Sequence, residues 1–288
     1  MGLDFNTAQF LLGEKARGVS LGRTLTLGRQ GVYMTTSEYS GLLSRLGATL
    51  ENPGHGDDFF KALGAQPLMA MDASSYEGAD LIHDLNHPIG LKLHSTFDTL
   101  IDGGALEHIF NFPVSIRNCM QMVKPGGRFI MITPWHNYAG HGFYQFSPEL
   151  LHSVLSEDNG YKVERMLIAA EGNWYNVRKP AELKHRIEIT TNDKILLCIT
   201  ALRVDDKPIF TKWPQQSDYT SAWQKTGSYN ESDIGPRLTL AQRISLIFPA
   251  FEFLRCALRE RRARLANNPS CNPGLARICA STEIPITN

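Results

Sequence analysis

Side chains able to do chemistry gather between positions 102 and 141. The stretch FDTLIDGGALEHIFNFPVSIRNCMQMVKPGGRFIMITP, residues 97–134, reads as strand, acidic loop, helix, Gly-Gly turn and second strand. An apolar run at 97–101 is stopped by Asp102-Gly103-Gly104, and 128–133 is rich in β-formers. Ligands of open parallel sheets sit beyond the carboxyl ends of the strands, so Asp102, Gly103, Glu107 and Pro134 fall where a ligand would be handled. His108 follows that acidic loop, and His141 precedes the aromatic pair Phe143-Tyr144. Histidine is the natural proton acceptor near neutral pH. Each has a plainer alternative: His108 as a packing or capping group, His141 as a shaper of its Gly-rich loop, Glu107 as a helix-start carboxylate. His136 and His141 with Glu107-His108 match no standard metal-binding helix spacing, so no metal is expected.

These residues need a scaffold that alternates strands with helices. Residues 24–27 form a strand ending at Gly28, and 37–46 a helix with Glu38 in its first turn. The loop ENPGHGDD intervenes before a short helix around 59–63, a strand at 67–70 running on to Asp72, and an extended segment at 79–85. Such alternation favours a parallel sheet covered on both faces. Ser147-Pro148-Glu149 starts a helix by capping, by proline in the first turn and by charge, and Asn159-Gly160 closes the region after about residue 156. Residues 162–170 and 194–204 are two more strands, expected as an edge pair.

From 205 the sequence turns polar and aperiodic and reads as a connection along the surface. A capping box of Thr239 and Gln242 opens an amphipathic helix to 266, with Leu240, Ile244, Ile247, Phe248, Phe251 and Leu258 on one face and Pro249 kinking or splitting it. That face is expected to pack on the domain or on a second subunit, which leaves a homodimer open. The basic end RERRARLA suits the negative helix end, and a peripheral contact with anionic lipid is the alternative. The stretch NNPSCNPGLARICASTEIPITN reads as a loose tail.

With 288 residues, 42% of them hydrophobic, the chain can bury a full core as one large domain or a domain with an extension. A formal net charge of +0 gives no drive towards nucleic acid, and none is expected as a partner. The first residues, acidic at Asp4 and Glu14, make neither a signal peptide nor a membrane anchor, so a cytoplasmic protein is expected. Five widely spaced cysteines with no Cys-x-x-Cys pair read as reduced thiols, Cys119 and Cys198 as buried ones.

The order of a Gly-bearing first strand end, Asp72 closing the second strand, Asp84 in HDLN, then FDTLIDGGALEH and VKPGGRFIMITP followed by PWHNYAGHGFYQFSPELL, resembles the class I S-adenosylmethionine-dependent methyltransferases over roughly residues 20–204. The resemblance implies an α/β fold with a doubly wound, mostly parallel seven-stranded Rossmann-like sheet at 1–206 and a helical C-terminal extension at 207–288. It implies S-adenosylmethionine as cofactor, with Gly28, Arg29 and Gln30 along its methionine part, Asp72 and Ala73 at the ribose, Asp84 and Leu85 at the adenine, and Asp102 and Gly103 facing the reacting end. His141, His108 and Glu107 would then act on the acceptor, an oxygen or nitrogen of a small molecule or glycan. The turn LGRQG departs from the family's glycine-rich pattern, so Arg29 should bind either the cofactor carboxylate or a neighbouring acid. A non-catalytic methyltransferase-like scaffold or subunit is the alternative reading.

Overall fold

A computed structural model describes residues 2–183, 186–220 and 249–278 of the chain. Its centre is a parallel run of β1 (Gly22–Leu27), β2 (Ala65–Asp72), β3 (Leu81–Ile82), β4 (Phe97–Asp102) and β5 (Val123–His136). Leu27 is level with Met71 on one side and Asp102 on the other, and Asp102 is level with Met131. The carboxyl ends of four strands therefore open onto one crevice. Four antiparallel pairings continue the sheet through β8 (Ile195–Arg203), β6 (Tyr161–Ala170), β7 (Asn173–Val177) and β9 (Leu275–Arg277). The full order is β3-β2-β1-β4-β5-β8-β6-β7-β9. Strand order reverses between β1 and β4, which makes this a doubly wound, Rossmann-like α/β fold with its switch point at the ends of those two strands.

Both faces of the sheet are dry. Along β5, Phe129 and Met131 enter one core while Ile130 and Ile132 enter the other, the period-two alternation of a strand covered on both sides. The first core receives Ile116, Cys119 and Met120 from α4 (Phe112–Met122) and Leu151 and Val154 from α5 (Pro148–Val154). The second receives Phe10 and Leu11 from α1 (Phe5–Ala16), Tyr39 and Leu43 from α2 (Thr36–Arg45), and Phe59 and Phe60 from α3 (Asp57–Ala62). A short helix, α6, occupies Pro180–Leu183. Glu14 of α1 is buried and holds Arg165 of β6 at 3.1 Å and Arg17 at 3.0 Å, tying the first helix to the sheet by charge.

Several expectations need correction. The sheet has nine strands among the described residues rather than seven, with four parallel and four antiparallel pairings. β6 and β8 are not an edge pair, because β8 lies against β5 and two further strands extend beyond β6. The Gly-Gly turn at 126–127 is a bulge inside β5, where pairing jumps from Phe97↔Val123 to Thr99↔Arg128. Residues 275–277, expected in a loose tail, form β9 on the edge of β7, with Leu275 buried. The extended segment at 79–85 shrinks to the two residues of β3.

The C-terminal helix α7 is described over Pro249–Ala266. Residues 239–248 of the expected helix, with Leu240, Ile244, Ile247 and Phe248, lie outside the described residues, as does the side chain of Phe251. Leu258, expected on the packed face, is 48% exposed. Among the described residues no helix is long and apolar enough to cross a membrane.

Candidate functional site

The first wall of the crevice is built by the turn after β1. Gly28 takes φ +66 and donates its N–H to Met71 O at 2.7 Å, so the chain leaves β1 hugging the end of β2. A Cβ at Gly28 would stand 3.7 Å from Asp72 Oδ2. Asp72 closes β2 half-buried, and Ser74 N at 3.2 Å donates to its Oδ1. The loop 51–58 clamps the turn from outside: Gly56 N donates to Gln30 O at 2.8 Å and Val32 N to Gly54 O at 3.3 Å. Asp58, receiving Glu51 N and Asn52 N, folds that loop and leads into α3.

Arg29 pairs with a neighbouring acid, one of the two partners expected for it. Its guanidinium forks onto Asp57 Oδ2 at 2.6 and 3.1 Å, and that bond raises its already high pKa. Gln30 turns inward instead: it is buried, donates from Nε2 to Leu27 O at 2.7 Å and lies so close to β4 that a Cβ at Gly103 would fall 2.0 Å from its Oε1. Only glycine fits at 103 with Gln30 in that position.

The second wall is the loop after β4. Asp102 is fully buried, with Oδ1 accepting Ala105 N at 2.7 Å and Gly104 N at 3.2 Å, while Oδ2 is buried without a partner. Burial pushes its pKa up, against the pull of those backbone donors. A 3-10 turn at Leu106–His108 then carries Glu107 inward and His108 outward. Glu107 is fully buried with neither carboxylate oxygen hydrogen-bonded; burial first, and the Asp102 charge second, raise its pKa.

His141 arrives from the loop after β5, and the Glu107 backbone is what brings it. Phe143 N and Tyr144 N both donate to Glu107 O, at 2.7 and 3.2 Å, and Tyr144 Oη donates to Phe110 O at 2.6 Å. Gly142 at φ +75 permits the approach, since a Cβ there would meet Glu107 O at 2.8 Å. His141 Nε2 then lies 3.6 Å from Glu107 Oε1, too long for a hydrogen bond. The His108 and His141 rings meet edge to face with centroids 4.8 Å apart. Burial lowers the pKa of both imidazoles. Phe110 and Phe143, both exposed, stand edge to face at 5.8 Å beside this cluster.

The structure thus brings Gly28, Gln30, Asp72, Asp102 and Gly103 to one crevice, and joins Glu107, His108 and His141 in one cluster next to Asp102. Ala73 is exposed beside Asp72. Asp84 follows β3, 51% exposed, with its carboxylate accepting from Asn86 N and Nδ2. Leu85 has its side chain in the core, and its carbonyl accepts Ser115 Oγ and Asn118 Nδ2. Of the aromatic residues around the strand ends, Trp174 and Tyr175 belong to β7 and the core, and Tyr76 is 90% exposed. Sequence reasoning missed Asp57, the partner of Arg29, whose signal was the acidic pair opening α3. It also missed α1, marked at its ends by Asp4, which caps Thr7 N, and by Gly18 at φ +85.

No known family profile and no curated protein matches the chain. Among solved structures it is similar to the citrinin polyketide synthase CMeT domain, at 16% identity over 69% of this chain and 52% of that one, with a TM-score of 0.39. It is also similar to 1,6-didemethyltoxoflavin-N1-methyltransferase of Burkholderia thailandensis, at 13% identity over 68% and 77% of the two chains and a TM-score of 0.39. A third is the N-methyltransferase NodS of Bradyrhizobium japonicum WM9, at 11% identity over 69% and 87% and a TM-score of 0.40. The chain spans about half the length of the first of these.

Proposed function

We propose that the chain transfers the methyl group of S-adenosylmethionine to an oxygen or nitrogen of a small molecule or glycan. The observation that carries this reading is the meeting of Gly28, Asp72, Asp102 and Gly103 at the switch point of the sheet. When bound, the cofactor supplies an electrophilic methyl on a positively charged sulfur. The residues present fit such a group. Asp72 keeps a carboxylate available to the two hydroxyls of a ribose, the backbone at Gly28 can be approached closely, and the orphaned Asp102 Oδ2 offers buried negative character to a cationic ligand. Ala73, Asp84 and Leu85 would border the nucleoside, and Arg29 and Gln30 would hold the turn along the amino-acid end.

Methyl transfer from the sulfonium sulfur, which leaves as a neutral thioether, to the acceptor oxygen or nitrogen requires alignment above all, with proton removal only where the acceptor atom carries a proton of high pKa. Glu107, His108 and His141 stand on the far side of Asp102 from Asp72, on the loops after β4 and β5, and would hold the acceptor atom and manage its proton. Phe110 and Phe143 would wall the entrance, suited to a ring with an apolar face.

A second reading keeps the fold without the chemistry. Gln30 fills the space against Gly103 at the mouth between β1 and β4, which suits a scaffold protein whose crevice is plugged by its own side chain. Calorimetry with S-adenosylmethionine and S-adenosylhomocysteine separates the two. Binding at micromolar concentrations supports methyl transfer, and no binding at millimolar concentrations leaves the scaffold.

A further inference from the structure

We propose that Glu107, His108 and His141 bind a divalent first-row transition-metal cation. Each of the three offers one ligand atom, and these atoms lie within 4.8 Å of one another. A carboxylate with no exposed surface and two unpaired oxygens is costly unless it is neutralised or paired. Among the described residues no lysine or arginine pairs with Glu107; the group that faces it at 3.6 Å is His141 Nε2, itself buried and without a hydrogen bond. Lys194, one cation near this cluster, sits over the Tyr138 ring. An ion between the three would satisfy His141 Nε2 and one Glu107 oxygen together.

The spacing suits such an ion. Two ligand atoms each about 2.1 Å from a tetrahedral cation stand roughly 3.4 Å apart. The 3.6 Å between His141 Nε2 and Glu107 Oε1 is close to that, and a ligand nitrogen of the more exposed His108 lies within 4.8 Å of both. Two imidazole nitrogens with one carboxylate oxygen favour zinc, manganese, iron or cobalt over calcium or magnesium, which prefer oxygen donors alone. The frame is rigid because the Glu107 carbonyl holds Phe143 N and Tyr144 N. Three protein ligands leave positions open for an acceptor oxygen, whose proton the cation would make easier to remove. That use rests on the methyl-transfer reading, whereas binding of the ion does not.

The test uses the untagged full chain, stripped with chelator and titrated with zinc or manganese chloride alone, followed by calorimetry and elemental analysis. The expected result is about one equivalent bound, with affinity falling at least tenfold in each of Glu107→Gln, His141→Gln and His108→Gln. His108→Gln changes an exposed side chain and so keeps the test decisive if the buried Glu107→Gln fails to fold. Asp72→Ala should bind metal as the parent does. No bound metal in the parent, or binding that survives the His108 and His141 substitutions, overturns the proposal. Metal binding without cofactor binding would sink methyl transfer and leave the ion site standing; cofactor binding without metal would do the reverse.

Discussion

Replacing Asp72 by alanine tests the cofactor side of the crevice most directly. Among the described residues its carboxylate accepts one hydrogen bond, from Ser74 N at 3.2 Å, and its other oxygen faces the Gly28 turn. Losing the Ser74 contact should cost the fold little, since the bond is long and lies at an exposed turn. Losing a charged acceptor for a ribose hydroxyl costs about 1.5 to 3 kcal/mol in a shielded site. Asp72 is only half-buried, so we take about 2 kcal/mol, which is about thirtyfold in Kd. Asp84→Ala should change Kd far less, because that carboxylate is 51% exposed and already committed to Asn86. The assay is titration calorimetry with S-adenosylhomocysteine, with circular dichroism and a melting curve to establish folding. A folded Asp72→Ala protein whose Kd stays within about twofold of the parent would remove Asp72 from the binding site and take with it the reading of the β2 end.

Other outcomes follow from the same geometry. His141→Gln should lower turnover about a hundredfold while S-adenosylhomocysteine affinity is unchanged; an unchanged rate with an acceptor found by screening would reduce His141 to a loop-shaping residue. Glu14→Ala removes the buried acid between Arg165 and Arg17 and should cost about 3 kcal/mol in urea denaturation, against which a loss below about 1 kcal/mol would speak. His152 on α5 is pushed down to about 4 by burial, with Lys179 adding to the effect. A base whose pKa is lowered on folding is neutral in both states above about 6.5, and as pH falls towards about 4 the unfolded chain takes up the proton first. Stability should therefore drop by about 2 to 3 kcal/mol over that window, and His152→Asn should flatten the profile; an equal slope in both proteins would contradict the burial argument.

What the sequence determined by itself was local. Short runs bounded by turn residues marked the strands 24–27 and 97–101 to within a residue or two, because a strand covered on both faces is buried almost throughout and needs no alternation to show itself. The start of α5 was legible from Ser147-Pro148-Glu149, since Ser147 Oγ does accept Leu150 N at 3.2 Å. Cys119 and Cys198 were readable as buried thiols from their apolar surroundings.

Only the tertiary structure decided which distant residues meet. β9 joins the sheet because the edge of β7 offers unpaired backbone groups about a hundred positions earlier in the chain, and three residues such as Leu275 to Arg277 carry too weak a pattern to announce that pairing. Asp57 claims Arg29 because the loop 51–58 folds back on the β1 turn. Gln30 reaches Gly103 because β1 and β4, 75 residues apart at Leu27 and Asp102, are neighbours at the switch point. The Glu107–His108–His141 cluster likewise has no spacing signature. It depends on one carbonyl accepting two N–H groups across loops and on a glycine at φ +75, contacts set by the packing of β4 against β5 and not by the order of residues along the chain.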